Sequence, residues 1–134
     1  MSDAPTKGKI LLTDDDKFLL DMYSMKFTGA GYAVEACLSV KQALEILRAG
    51  FAPDVVLFDL TMPEMDGFAF LKALGDEKLA ASAIKIALTN QNDEAEKAKA
   101  AELGASRYII KASMIPSEVV NTVGEELAKN PHNS

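Results

Sequence analysis

Five short apolar segments alternate with five longer polar or amphipathic ones along this chain, and no other feature restricts its fold as much. The periodicity places strands at residues 9–13, 32–37, 55–59, 84–88 and 107–110, and helices at 17–28, 40–48, 67–74, 93–103 and 116–129. A strict strand–helix alternation implies an α/β fold, a parallel sheet with helices on both faces. Val55-Val56-Leu57-Phe58 is apolar on both sides, as a central buried strand requires, and Ile10-Leu11-Leu12 reads the same way. Right-handed crossovers leave few topologies, of which strand order 2-1-3-4-5 is a common one for five strands. In that order strands 1 and 3 are neighbours where the winding reverses. A ligand site is therefore expected beyond their carboxyl ends.

The punctuation agrees with these segments. Gly29 and Gly31 are expected to close the first helix, Gly50 the second, Gly75 the third and Gly104 the fourth. Ser39 followed by Gln42 forms a capping box for the second helix, and Asp16 caps the first. Pro53 precedes the third strand, Pro63 falls in a loop, and Pro116 suits a first helical turn.

The 134 residues fit one domain, 1–134, with a core at about 7–129 between polar tails. Only 14 Lys and Arg stand against 20 acids, and they are scattered, which argues against direct binding to nucleic acid. The apolar runs are far shorter than the roughly 20 residues of a membrane span. The start of the chain is polar, unlike a signal peptide, and the single Cys37 has no partner for an internal disulfide. A cytoplasmic location is expected.

Strand 1 runs out into Thr13-Asp14-Asp15-Asp16 and strand 3 ends on Asp59. One aspartate in such a run serves as a helix cap, a contribution of about 1 kcal/mol. Capping does not account for Asp14, Asp15 and Asp59 converging. Carboxylates about 4 Å apart repel by roughly 4 kcal/mol at an effective dielectric near 20, so the cluster calls for a cation or raised pKa values. An all-oxygen set with no paired His or Cys favours Mg²⁺ or Mn²⁺, and His132, the only histidine, lies in the tail. Thr89 and Lys111 end strands 4 and 5 on the same edge. A hydroxyl and an ammonium there suit an anion bound beside the metal.

With these residues in view, the chain closely resembles the response-regulator receiver family of two-component signalling, including its single-domain chemotaxis regulators. The resemblance runs from about residue 7 to 129. It is carried by Ile10-Leu11-Leu12-Thr13-Asp14-Asp15-Asp16, by Asp59-Leu60-Thr61-Met62-Pro63-Glu64-Met65-Asp66-Gly67, by Ala87-Leu88-Thr89 and by Gly104-Ala105-Ser106-Arg107-Tyr108-Ile109-Ile110-Lys111. It implies the flavodoxin-like doubly wound fold and a signalling module rather than an enzyme, with slow dephosphorylation as a self-catalysed side reaction. It further implies that Asp59 accepts a phosphoryl group from a histidine kinase or histidine phosphotransfer protein. Asp14 and Asp15 would hold Mg²⁺ with Asp59 and the Thr61 backbone carbonyl, Asp15 being the more direct ligand of the pair. Thr89 and Lys111 would contact phosphoryl oxygens. Tyr108 would be the switch aromatic that turns inward with Thr89, and Thr61, Asn90 and Gln91 would tune the phosphoryl lifetime.

The chain departs from the family pattern at two positions. Ala112 follows Lys111 where proline is usual, so a trans Lys111–Ala112 bond and a shifted loop are expected. Asn90 replaces a small residue and is expected to narrow access to Asp59. The fourth helix has a thin, alanine-rich apolar stripe, and the fifth contains a run of poor helix formers around Gly124. With strand 5 these helices are the expected partner face, used for an unknown downstream protein or a phosphorylation-dependent homodimer. The first helix carries too many large apolar residues for one stripe; its exposed part is either incidental or, as the resemblance implies, a kinase-docking surface. Three other readings stand beside this one. A phosphatase of the haloacid dehalogenase type would want an acid at Thr61. A flavodoxin-like carrier would want a phosphate loop after strand 1. A pseudo-receiver would signal without phosphate.

Overall fold

The computed structural model describes residues 7–62 and 64–129, which leaves Pro63 and His132 outside the described residues. Strands β1 (Lys9–Thr13), β2 (Ala33–Cys37), β3 (Val55–Asp59), β4 (Ile84–Thr89) and β5 (Arg107–Ile110) form one parallel sheet in the order β2-β1-β3-β4-β5. Helices α1 (Lys17–Gly29), α2 (Val40–Arg48), α3 (Gly67–Glu77), α4 (Glu94–Glu102) and α5 (Pro116–Lys129) alternate with them. The fold class and strand order expected from the sequence are those observed.

Alternation along each strand divides the core into two layers. Leu11, Val56, Phe58 and Ala87 pack with Leu44, Leu47, Phe70, Leu71 and Leu74 of α2 and α3. Ile10, Leu12, Val55, Leu57, Ile86 and Leu88 pack with Leu20, Tyr23 and Phe27 of α1 and Val119 and Val123 of α5. Every residue of β3 is buried, in keeping with its two apolar faces. Each large side chain so enclosed stabilises the fold by about 1.5–3 kcal/mol relative to exposure. By contrast, Ala100 is the only buried residue of α4, so little burial holds that helix.

Several helix ends differ from the sequence reading. Gly75 does not close α3; the helix continues to Glu77 and stops at Lys78, whose φ of 57° is left-handed. Ion pairs Lys72–Asp76 and Arg48–Glu77 hold that extra turn, and an interior glycine costs only about 1 kcal/mol. Asp93 and Leu103 cap α4 rather than belonging to it. Ser39 Oγ accepts from the Gln42 N–H as a capping box requires. The Gln42 side-chain Oε1, however, accepts the Leu38 N–H at 2.9 Å, one residue before the cap. Tyr32 lies outside β2 because its N–H turns back to the Phe27 carbonyl, whereas β4 gains Thr89. Gly31, Gly50 and Gly104 do adopt positive φ at helix ends, as expected. Gly29 is instead the last residue of α1 and Ala30 its cap.

Candidate functional site

The strand register assembles the site. Thr13 pairs with Phe58, so Asp14 and Asp59 leave adjacent strands at the same level of the carboxyl edge. Asp59 pairs in turn with Leu88, which puts Thr89 next to it on β4. Lys111 opens a short 3-10 turn, Lys111–Ser113, directly after β5. This is the reversal point between β1 and β3 at which the fold alone placed a ligand site.

Asp14, Asp15 and Asp59 each offer a carboxylate oxygen within 4.8 Å of the others. Asp14 is 0% and Asp59 3% exposed, whereas Asp15 faces solvent. The Lys111 ammonium donates to Asp14 Oδ2 and to Asp59 Oδ2, both at 2.9 Å, with only 9% of its side chain exposed. Asp59 Oδ1 accepts the Thr61 N–H at 3.1 Å, and Asp14 Oδ1 accepts the Asp16 N–H at 3.0 Å. Both buried carboxylates are thereby held in fixed orientations.

Burial pushes the Asp59 carboxyl above its ordinary range, an effect that its bond to Lys111 opposes without cancelling. Burial also acts to lower the Lys111 ammonium, but the two carboxylates outweigh it and raise that group. Among the described residues the site thus has two buried acids, one exposed acid and a single cation. An all-carboxylate set of this charge fits a hard divalent cation, and the exposed face at Asp15 leaves an approach for it and for an anion.

The remaining sequence candidates fall around this cluster. Thr89 is buried, and its Oγ accepts the Gln91 N–H at 3.4 Å. Asn90 and Gln91 are exposed on the loop after β4, and Thr61 is exposed on the loop after β3. Tyr108 is half-buried on β5; its hydroxyl donates to the Gln91 carbonyl at 3.1 Å, tying β5 to the loop before α4. No peptide bond among the described residues is cis, so the Lys111–Ala112 bond is trans, as expected. The Lys111 ammonium nevertheless reaches both carboxylates.

Four contributors were not picked out as site residues from the sequence. A Cβ on Gly67 would lie 2.7 Å from the Asp59 carbonyl oxygen and 2.8 Å from Leu60 Cα, so only glycine lets α3 start this close to Asp59. Asp66 caps α3 through the Ala69 N–H at 2.9 Å, a role that aspartate directly before a helix signals. Glu64, at φ 67°, makes a left-handed turn two residues before Asp66. Tyr23 of α1 also approaches the cluster: burial raises its hydroxyl pKa, with smaller influences from Lys111, Asp14 and Asp59.

Comparison with known proteins identifies relatives of the chain. The response regulator receiver domain family matches residues 10–123. Response regulator SaeR of Staphylococcus epidermidis is 30% identical over 128 residues, covering 93% of this chain and 54% of SaeR. The chain therefore spans about half the length of that relative. Among solved structures, the CheY-like receiver domain protein of Methanospirillum hungatei JF-1 superposes with a TM-score of 0.82 at 25% identity, covering 91% of this chain and 94% of that one. Chemotaxis response regulator CheY4 of Vibrio cholerae gives 0.81 at 28% identity, covering 90% and 98%. Among the described residues no helix is long and apolar enough to cross a membrane. The acidic cluster lies where two central strands end, within the matched segment, and the chain belongs to the response regulator receiver domain family, a signalling module of two-component systems.

Proposed function

We propose that Asp59 is the phosphoacceptor and that residues 7–129 act as a receiver module switched by its phosphorylation. The observation that carries this reading is the Lys111 ammonium bound at 2.9 Å to both Asp59 and Asp14, a cation fixed where phosphoryl charge would arrive. The Asp59 carboxylate attacks the phosphorus of a phosphohistidine in line, an aspartyl phosphate bond forms as the P–N bond breaks, and the departing imidazole nitrogen takes a proton from solvent. Asp14, Asp15, Asp59 and the Thr61 carbonyl would hold Mg²⁺, with Mn²⁺ as a substitute. When bound, that ion offsets the charge of the phosphoryl oxygens. Lys111 pairs with one phosphoryl oxygen and the Thr89 hydroxyl donates to another. Thr61, Asn90 and Gln91 border the exposed side and set how readily water reaches the acyl phosphate, which governs self-catalysed dephosphorylation.

The donor is a histidine kinase or histidine phosphotransfer protein docking on the site edge. Phe18 is 74% exposed in the first turn of α1, and Leu38, Met65 and Ile115 are exposed on loops of the same edge, an apolar collar suited to a protein donor. The output face is α4, β5 and α5. Its helix α4 is weakly packed, and Tyr108 joins β5 to the loop from Thr89, so drawing Thr89 toward a phosphoryl group frees Tyr108 to turn inward. The downstream partner is a protein, either another chain or a second copy of this one.

Incubation with acetyl phosphate and Mg²⁺, read by intact-mass spectrometry, tests the reading. One phosphoryl adduct is expected, lost with EDTA and in Asp59→Asn. Absence of the adduct with a kinase donor as well would leave a module that signals without phosphate.

A further inference from the structure

Asp93 begins α4 as its cap, with Oδ1 accepting the Ala95 N–H at 2.9 Å and the Glu96 N–H at 3.1 Å. Asp93 and Glu96 stand at the spacing of a capping box, in which the acid three residues on also accepts the backbone N–H of the cap. That second bond is not made here. The Asp93 N–H instead reaches the Tyr108 hydroxyl at 3.4 Å, a long contact. Glu96 Oε1 is buried and has no hydrogen-bond partner. An unpaired buried carboxylate oxygen is costly, so its retention three residues after a donor held by a weak contact needs a reason.

We propose that Glu96 is a positioning residue for Tyr108, the second acceptor for the Asp93 N–H, which takes that donor over when the Tyr108 hydroxyl leaves it. The inference rests on the proposed movement of Tyr108. With Tyr108 tethered, its hydroxyl accepts from Asp93 and donates to the Gln91 carbonyl at 3.1 Å. With Tyr108 turned inward, the Glu96 carboxylate completes the capping box, so α4 keeps its cap in both states. Glu96 thereby lowers the cost of releasing Tyr108. It also keeps the thinly packed α4 from unwinding as the output face changes.

Amide hydrogen exchange at Asp93, followed by NMR in the unphosphorylated protein, tests this apart from phosphoacceptance. Tyr108→Phe alone and Glu96→Ala alone are each expected to lower protection at Asp93 by less than about twofold, because the other acceptor remains. The double variant is expected to lose about fivefold. Glu96→Gln in the Tyr108→Phe background is expected to keep the protection, since glutamine completes a capping box equally well. In Glu96→Ala the Tyr108 ring should also populate its tethered orientation more than in the parent protein. A full loss in Tyr108→Phe with no added effect of Glu96→Ala overturns the proposal, as does a failure of glutamine to rescue. A Glu96 that only props the helix would leave the Tyr108 ring populations unchanged, which also overturns it.

Discussion

Lys111 and Asp59 form a 2.9 Å ion pair with 9% and 4% of their side chains exposed, and the same ammonium holds Asp14 at the same distance. One cation therefore serves two buried acids. Removing one partner from a buried pair leaves charge uncompensated and costs about 3–5 kcal/mol. Lys111→Met is expected to destabilise the metal-free protein toward the lower end of that range, since Asp59 can take up a proton. Adding Mg²⁺ should restore part of the loss. Urea unfolding with and without the metal measures both effects, and a variant as stable as the parent would contradict this role.

Asp15 separates metal binding from folding. Its carboxylate faces solvent, so Asp15→Asn should change metal-free stability by no more than about 0.5 kcal/mol. In the parent protein, Mg²⁺ at ten times its dissociation constant should add about 1.4 kcal/mol. That gain should largely vanish in Asp15→Asn at the same Mg²⁺ concentration. Thermal unfolding of the two proteins provides the comparison, and equal rises in Tm would count against Asp15 as a ligand.

Gly67 is constrained by proximity rather than by φ. An added Cβ meets the Asp59 carbonyl oxygen at 2.7 Å and Leu60 Cα at 2.8 Å, both backbone atoms that cannot rotate away. Gly67→Ala should therefore cost about 1–3 kcal/mol and displace the Asp59 backbone. The initial rate of phosphoryl uptake should fall along with the urea midpoint.

Glu126 gives the clearest pH signature. Burial acts to raise its carboxyl, but bonds from Arg107 at 2.9 Å and Lys129 at 3.3 Å outweigh it and hold the group below its ordinary range. A lowered folded-state pKa adds stability that is fully present above the unfolded value, about pH 4–5, and is lost as pH falls through the folded one. Glu126→Gln should be less stable than the parent by about 1 kcal/mol at pH 7, and the two should converge in acid. A gap that stays constant with pH would contradict the assignment.

The sequence made the sheet legible because its central strands β1 and β3 are apolar on both faces and its helices are punctuated by glycine and proline. The carboxylate cluster was legible because register follows from strand order: once β1 neighbours β3, Asp14 and Asp59 must meet. Contacts between distant elements were not legible. Nothing in the local pattern around Gly75 reveals that Arg48 on α2 extends α3 by pairing with Glu77. Nor does it reveal that Gly67 abuts the backbone of Asp59. Tyr108 stood out by resemblance alone, and its hydroxyl's competition with Glu96 for one N–H depends on how β5 packs beside α4.

The central claim is that one carboxylate among three crowded ones takes the phosphoryl group, and trapping it chemically is the most direct test. Protein incubated with acetyl phosphate and Mg²⁺ is reduced with borohydride, which converts an aspartyl phosphate to homoserine, and is then digested and sequenced by mass spectrometry. Homoserine at position 59, absent without Mg²⁺, is the expected result. Homoserine at Asp14 or Asp15, or at none of the three positions after exposure to a competent histidine kinase, would contradict the account.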